Sequence, residues 1–152
     1  GIQGSNILIA NEEIRAKFKE QVAHAHASAN IFAGPATIAA YNESAPWLDE
    51  LLEVLKGNCE YFVNFVHEHC PELKVRMNEA TYLMWVDCRG LNMTEDELAD
   101  WFGQKVGVAA NPGTFFGENV LGFRRFNMAC PRTMVEDGCR RLEKALKELR
   151  QK

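Results

Sequence analysis

The segment Gly122-Phe-Arg-Arg-Phe-Asn-Met128 predicts a β-strand that carries an arginine on each face. Side chains alternate along a strand, so one face of the predicted sheet carries Phe123, Arg125 and Asn127. The opposite face carries Arg124, Phe126 and Met128. The two adjacent arginines therefore point in opposite directions, and at least one of them lies among large apolar side chains.

A guanidinium in apolar surroundings requires an anion that offsets the cost of removing it from water. A planar carboxylate suits it, because a carboxylate accepts two parallel hydrogen bonds from the guanidinium fork. Two hypotheses follow for this strand. The carboxylate belongs to an aspartate or glutamate of the protein, which makes the contact structural, or it belongs to a bound substrate, which makes the arginine a recognition residue.

The chain before and after this strand predicts helices packed on a short sheet. Residues 74–77 predict a weak strand, and residues 80–87, rich in β-branched and aromatic side chains, predict a strong one. An apolar stripe at helical spacing predicts a long helix over residues 48–70, which the next residue, a proline, ends. Residues 94–97 and 133–136 have the pattern of capping boxes, so each predicts the start of another helix.

The N-terminal third does not obviously belong to this layer. Residues 6–10 are apolar at both parities, which predicts a strand buried on both faces. Helices are predicted from Asn11 to about residue 27 and again from Pro35. A buried strand needs neighbours at both edges, and none is adjacent in sequence. We therefore predict an α+β fold from an α/β-type parent: a small C-terminal domain of helices on a short mixed or antiparallel sheet, plus a remnant of a larger domain.

Composition excludes several classes of protein. Twenty-one acidic residues against seventeen basic ones give a net charge of −4, which argues against a nucleic-acid partner. No apolar run approaches the roughly 18 residues that a membrane span needs, so no membrane partner is expected. The five cysteines form no C-x-x-C motif, and we predict reduced, mostly buried thiols in the cytoplasm.

Metal and thiol chemistry are disfavoured by residue spacing. His24 and His26 lie two residues apart on a predicted helix, so they point about 200° apart and cannot share an ion. His67 and Cys70 share a face but have no second ligand pair at zinc-like spacing. We predict no metal site and no thiol nucleophile. Residues 111–117 form a weak candidate for a phosphate cradle and a better one for a turn with two packed aromatic side chains.

Several segments, in this order and spacing, resemble the C-terminal part of fold-type I pyridoxal-phosphate enzymes. The likeness covers essentially the whole chain and is greatest to the cystathionine β-lyase-type C–S lyases of the class I/II aminotransferase superfamily. It is carried by Ala39-Ala-Tyr-Asn-Glu43 with Pro46-Trp-Leu48, Ala80-Thr-Tyr-Leu-Met-Trp-Val-Asp-Cys-Arg-Gly90, Asn111-Pro-Gly-Thr-Phe-Phe-Gly117 and Gly122-Phe-Arg-Arg-Phe-Asn-Met-Ala-Cys-Pro-Arg132.

This resemblance implies a homodimeric enzyme that uses pyridoxal 5'-phosphate and acts on a small amino-acid substrate. The implied reaction is a β-elimination that breaks the C–S bond of cystathionine or a cysteine-type amino acid, with transamination as the alternative. Arg125, in its Arg-x-Asn pattern, matches the arginine that binds the substrate α-carboxylate. Gln3 falls where many aminotransferases have an arginine for the cofactor phosphate, and Phe115 and Phe116 would be packing residues or substrate walls.

The resemblance also implies an incomplete site. The lysine that binds the cofactor covalently precedes a segment like Gly1 to Ser5, so it would lie outside this chain, and the chain alone is expected to be inactive. The implied division is residues 1–45 as a remnant of the large cofactor-binding domain, 46–70 as a junction helix and 71–152 as the small domain. The alternative from another class is a non-catalytic α+β binding module.

Overall fold

The computed structural model describes residues 2–151, which form two compact units. Gly1 and Lys152 lie outside the described residues, so the predicted Gly1 to Ser5 segment is described from Ile2 and the predicted small domain as far as Gln151. One unit extends to Glu50 and the other begins at Leu51, inside a long helix. The predicted division at residues 45 and 70 remains a prediction.

The C-terminal unit is built on a four-stranded antiparallel sheet. Its strands are β1 (Lys74–Val75), β2 (Leu83–Asp87), β3 (Asn111–Pro112) and β4 (Phe123–Asn127). Their spatial order is β1-β2-β4-β3, so the two five-residue strands pair at the centre and the two short strands form the edges. The antiparallel alternative of the predicted sheet is the one that the structure adopts.

Helices pack against one face of this sheet. They are α3 (Ala45–His69, in this unit from Leu51), α4 (Glu95–Asp100) with a π-helical turn (Trp101–Val106) directly after it, and α5 (Arg132–Arg150). Two 3₁₀ turns complete the unit: Arg89–Leu91 and Gly113–Phe116. Within residues 2–151, no helix has the length and apolar character needed to cross a membrane.

The core lies between the sheet and these helices. Its fully buried side chains come from both layers and include Val66, Met84, Val86, Leu142 and Leu146. Phe126 of β4 packs against Phe62 of α3 with ring centroids 5.4 Å apart. Helices on one face of an antiparallel sheet are an α+β architecture, and this part of the fold prediction is confirmed.

The strands differ from their predicted lengths for local reasons. β2 begins at Leu83 rather than at residue 80, because Thr81 has a φ of +67°, which interrupts an extended backbone. β3 was not predicted: residues 111–112 lie in a segment expected to be a turn, yet they pair with β4 at the sheet edge. A strand of two residues is too short to show a periodic pattern in the sequence, so it could not be predicted.

The two predicted capping boxes have opposite outcomes. Thr94 accepts from the backbone N–H of Glu97 while the Glu97 side chain accepts from the backbone of Thr94, as predicted. The second prediction is wrong, because α5 begins at Arg132 with Pro131 as N-cap and no side-chain cap. The Pro131 carbonyl already accepts from the amides of Met134 and Val135, so Thr133 lies inside the first turn.

The N-terminal unit contains α1 (Glu12–His24), capped by Asn11 as predicted, and α2 (Ala33–Glu43). The predicted buried strand at residues 6–10 is wrong. That segment forms no strand, and Leu8 is 96% exposed. A strand requires a hydrogen-bonded partner, and the described part of this unit offers only helices.

A matched pair of methionines tests the core. Met84→Ala removes a side chain with 0% exposure and should lower the free energy of unfolding by about 2–5 kcal/mol, because it leaves a cavity between the sheet and the helices. Met134→Ala, at a side chain that is 62% exposed, should change it by no more than about 0.5 kcal/mol. Urea denaturation measures both. Equal losses for the two variants would contradict the assigned core.

Candidate functional site

The open face of the sheet carries the candidate site. Residues along β2 and β4 alternate between buried and half-buried, so Arg124 and Phe126 face the core while Phe123 and Arg125 face outward. This is the alternation that the sequence predicts for the strand. Trp85 of β2 lies directly opposite Arg125 in the ladder, and its side chain is also half-buried.

Arg124 forms the structural ion pair that one of the two hypotheses describes. It is 1% exposed, and its Nη1 lies 2.7 Å from Glu95 Oε2, at the start of α4. Nη1 also donates to the Phe123 carbonyl oxygen at 2.9 Å, and Nη2 donates to the Glu95 carbonyl oxygen at 3.2 Å. The cost of burying this guanidinium is offset by a carboxylate of the protein itself.

Glu95 is held in its charged form by the same contacts. Burial alone would raise the pKa of its carboxyl group, but the backbone N–H of Gly122, which donates to Oε1, and the Arg124 guanidinium together lower the pKa below its ordinary 4.5. The pair fastens the first turn of α4 to β4. It therefore fixes the strand from which Arg125 projects.

Arg125 is bound in a different way. Its Nη2 donates to Asn111 Oδ1 at 3.1 Å, and its guanidinium carbon lies 4.5 Å above the centroid of the Phe116 ring. Its Nε is buried without a hydrogen-bond partner. No aspartate or glutamate among residues 2–151 forms an ion pair with Arg125. The described chain therefore leaves the positive charge of this guanidinium without a counter-charge.

Three aromatic rings pack together on the same face of the sheet as Arg125. Trp85 stacks on Phe123 with centroids 5.6 Å apart and meets Phe116 edge-on at 5.5 Å. A third arginine, Arg89, lies 4.9 Å above the Phe123 ring. It is already paired, because its Nε and Nη2 donate to the two Asp87 carboxylate oxygens at 2.9 Å and 2.7 Å. That contact, mainly the side-chain hydrogen bonds, lowers the pKa of Asp87.

The turn at residues 113–117 presents Phe116 to the guanidinium. Gly113 is packed so closely that a Cβ atom there would lie 2.1 Å from the Val120 carbonyl oxygen, so no larger residue fits without moving the backbone. Phe116 is 44% exposed and packs on Trp85 and Arg125, whereas its neighbour Phe115 is 75% exposed. The two aromatic residues that the sequence treats alike therefore have different surroundings.

Burial and hydrogen bonding determine the surroundings of the cysteines and of His67. All five cysteines are free and four are buried, and burial raises the pKa of Cys70, Cys88 and Cys139 to about 12, which disfavours the thiolate. His67 is bound to the Val75 carbonyl oxygen through Nε2 at 2.8 Å. Within residues 2–151, no group of three potential metal-ligating side chains is close enough to hold one ion.

The remaining predicted site residue, Gln3, lies in the N-terminal unit and is exposed. Its role at a cofactor phosphate stays a prediction. Sequence reasoning missed Asn111 and Glu95, which contact the two arginines. Glu95 stands inside the predicted capping box, so its place at a helix start was visible. Its pairing with Arg124 across 29 positions was not.

The antiparallel sheet is backed by helices, which defines an α+β domain. Its open face carries Arg125, which makes no ion pair within residues 2–151. The sequence matches the aminotransferase class I and II profile over residues 1–142. The chain therefore belongs to the aminotransferase class I and II family.

Curated relatives and solved structures agree with this membership. The chain is 34% identical over 147 residues to cystathionine beta-lyase PatB of Bacillus subtilis, which covers 96% of this chain. It is 38% identical over 123 residues, 81% of this chain, to the protein MalY of Escherichia coli. Cystalysin of Treponema denticola, whose crystal structure contains pyridoxal 5'-phosphate, superposes with a TM-score of 0.89 at 32% identity over 95% of this chain.

These matches concern only part of each relative. The chain spans 38% of the length of PatB, 32% of MalY and 37% of the cystalysin chain.

Glu95→Gln tests the buried ion pair. Removing the charge that faces Arg124 should lower the free energy of unfolding at neutral pH by about 3 kcal/mol, the lower end of the cost of breaking a buried pair, because Glu95 keeps 25% of its exposure. The folded-state pKa of Glu95 is depressed, so its contribution is present above pH 4.5 and is lost as the pH falls through the folded value. The variant should therefore show a shallower loss of stability in acid than the parent.

Urea midpoints between about pH 3 and about pH 7, a range that brackets the ordinary glutamate pKa of 4.5, measure this difference. Glu148→Gln, the same substitution at an exposed residue of α5, is the control and should change stability by no more than about 0.5 kcal/mol. A Glu95→Gln variant as stable as the control would show that the ion pair with Arg124 does not stabilise the protein.

Proposed function

We propose that this chain supplies the substrate-carboxylate site of a pyridoxal-phosphate-dependent C–S lyase. The proposed substrates are cystathionine or related cysteine-type amino acids, whose C–S bond is broken by β-elimination. The observation that carries the proposal is Arg125, which lies on an open aromatic face and makes no ion pair within residues 2–151. The relative named cystathionine beta-lyase and the C–S lyase structures of Staphylococcus hominis support this choice of reaction.

The role of Arg125 is to bind and orient. A carboxylate received by the guanidinium fork is fixed in direction as well as in place, because the two hydrogen bonds are parallel. Fixing the carboxylate restricts rotation about the substrate Cα and directs its proton towards one side of the site. The rings of Trp85, Phe116 and Phe123, which contact one another, would take the place of part of the water around the bound acid group.

The described residues fit the substrate end of a site for pyridoxal 5'-phosphate, since Arg125 faces a neutral amide and makes no ion pair within residues 2–151. When bound, the cofactor would serve as an electron sink for negative charge that develops at the substrate Cα. We propose that Gln3 donates its side-chain amide N–H to the cofactor phosphate. Its exposed side chain is free to do so, without the charge that an arginine would bring.

Transamination is the second candidate reaction, and the family match favours it as much as elimination. A carboxylate held by Arg125 serves both reactions, so product analysis has to separate them. Elimination from cystathionine releases a thiol, pyruvate and ammonia. Transamination leaves the C–S bond intact and produces a keto acid with the sulfur still attached.

We also propose the surroundings of this site. Residues 1–45 would belong to the large cofactor-binding domain, 46–70 would form the junction helix and 71–152 the small domain, within a homodimer. Five free cysteines, four of them buried, support a reducing compartment such as the cytoplasm.

Covalent capture of the cofactor tests the proposal. The full-length protein is incubated with pyridoxal 5'-phosphate, reduced with borohydride and digested, and the modified lysine is located by mass spectrometry. We expect a single modified lysine a few residues before the segment that begins Gly1-Ile-Gln-Gly-Ser5, because the family likeness implies a lysine there. A sample reduced without cofactor is the control. No specific adduct, or adducts spread over surface lysines such as Lys17 and Lys19, would favour the non-catalytic binding module.

Arg125→Ala tests the carboxylate role. It should raise KM and lower kcat/KM by about thirtyfold or more, since removing one partner of a desolvated charge pair costs on the order of 2–5 kcal/mol. Arg140→Ala, at a side chain on α5 that is 65% exposed, is the control and should leave both constants within about twofold. Unchanged kinetics in Arg125→Ala would show that another group binds the acid.

A further inference from the structure

We propose that Asn111 and Phe116 are positioning residues that orient the Arg125 guanidinium without neutralising it. This inference rests on the proposed function, because the contacts would leave the charge of Arg125 uncompensated for a substrate carboxylate. It adds a reason why the contacts of Arg125 are an amide and a ring rather than an acid. It also assigns a function to the short edge strand β3, which the reaction itself does not require.

The ladder places the amide where it is needed. Asn111 lies directly opposite Arg125 in the β3–β4 pairing, and Pro112 lies opposite Arg124. The amide oxygen of Asn111 accepts from Nη2 at 3.1 Å across this pair. Backbone pairing therefore fixes the position of the Asn111 amide next to the Arg125 side chain.

The other two arginines near the central strands show what this arrangement avoids. Arg124 faces Glu95 at 2.7 Å, and Arg89 faces Asp87 at 2.7 Å. Each has a carboxylate of the protein as its partner, so its charge is already balanced within the protein. Arg125 faces a neutral amide, which accepts a hydrogen bond but contributes no negative charge.

Phe116 completes the orientation. The guanidinium carbon of Arg125 lies over its ring, 4.5 Å from the ring centroid, and this contact holds the charge without an acidic partner. Nε is buried, so an incoming carboxylate is received by the edge that carries Nη1 and Nη2. The amide and the ring thus restrict the side chain while leaving that edge able to donate.

Carboxylate selectivity measures the inference without depending on turnover. The full-length holoprotein and its variants are titrated by calorimetry with 3-phenylpropionate and with its neutral amide, 3-phenylpropanamide. The acid and the amide have nearly the same shape, so the ratio of their dissociation constants reports the charge-specific contribution of Arg125. Steady-state KM and kcat for the amino-acid substrate are recorded in parallel.

Asn111→Asp should reduce the acid-over-amide preference at least tenfold, because a carboxylate across the ladder competes with the ligand for the same guanidinium. It should raise KM much more than it lowers kcat. Asn111→Ala should reduce the preference only about threefold, because it loosens the arginine without adding a charge, and Asn111→Ser should recover part of that loss. Asn127→Asp is the control for general electrostatics: it adds the same charge to the outward face of β4 at a residue whose Oδ1 accepts from Ala129.

A second pair of variants tests the ring. Phe116→Leu should weaken binding of the acid by about two- to fivefold, the scale of a lost cation–π contact. Phe65→Leu is the control and should leave binding unchanged, because the Phe65 ring on α3 contacts Tyr61 and His69 and no arginine. Thermal unfolding checks that each variant is folded. Where Asn111→Asp does not fold, the alanine and serine variants carry the test.

The outcomes distinguish the proposed carboxylate role of Arg125 from the positioning role of Asn111 and Phe116. If Arg125→Ala keeps the acid-over-amide preference, the proposed carboxylate role itself is overturned. If Arg125→Ala abolishes the preference while Asn111→Asp and Asn111→Ala bind the acid like the parent, the positioning role is overturned and the proposed function stands. If Asn127→Asp weakens binding as much as Asn111→Asp, the effect is one of general charge and the positioning role is again overturned.

Discussion

The buried contact between Arg124 and Glu95 is the interaction on which the rest of the C-terminal unit depends. It ties the first turn of α4 to β4 through a 2.7 Å ion pair and through the Gly122 amide that donates to the same carboxylate. The register of β4 depends on this pair together with the apolar residues of the same face, because a slip by one residue would separate Arg124 from Glu95, turn Phe126 out of the core and turn Asn127 into it. The outward direction of Arg125 follows from this constraint.

The two adjacent arginines of β4 thus have different roles. Arg124 is paired with a carboxylate inside the protein and contributes to stability. Arg125 is held by a neutral amide, and no acidic residue within residues 2–151 balances its charge. The difference lies in their partners, a glutamate in one case and an asparagine in the other. This contrast supports the proposal that Arg125 binds a ligand carboxylate, and it is independent of any likeness to known proteins.

Much of the sheet could be predicted from sequence because its signals are local. The alternation along β4 correctly placed Arg124 and Arg125 on opposite faces but left open which of them meets the core, and the Thr94 capping box marked the start of α4. Other features were out of reach or misread. The edge strand at Asn111 has no period, and the start of α5 is set by Pro131 rather than by Thr133. The apolar residues at 6–10 look like a buried strand because a sequence records hydrophobicity, not the presence of a partner.

A crystal structure of the full-length protein with cofactor and an unreactive carboxylate ligand tests the central claim most directly. We expect the ligand carboxylate to lie within hydrogen-bond distance of Nη1 and Nη2 of Arg125, with Asn111 still accepting from Nη2. We also expect Arg124 to remain bound to Glu95. An Arg125 guanidinium paired with an aspartate or glutamate of the protein, with the ligand carboxylate bound elsewhere, would contradict the claim.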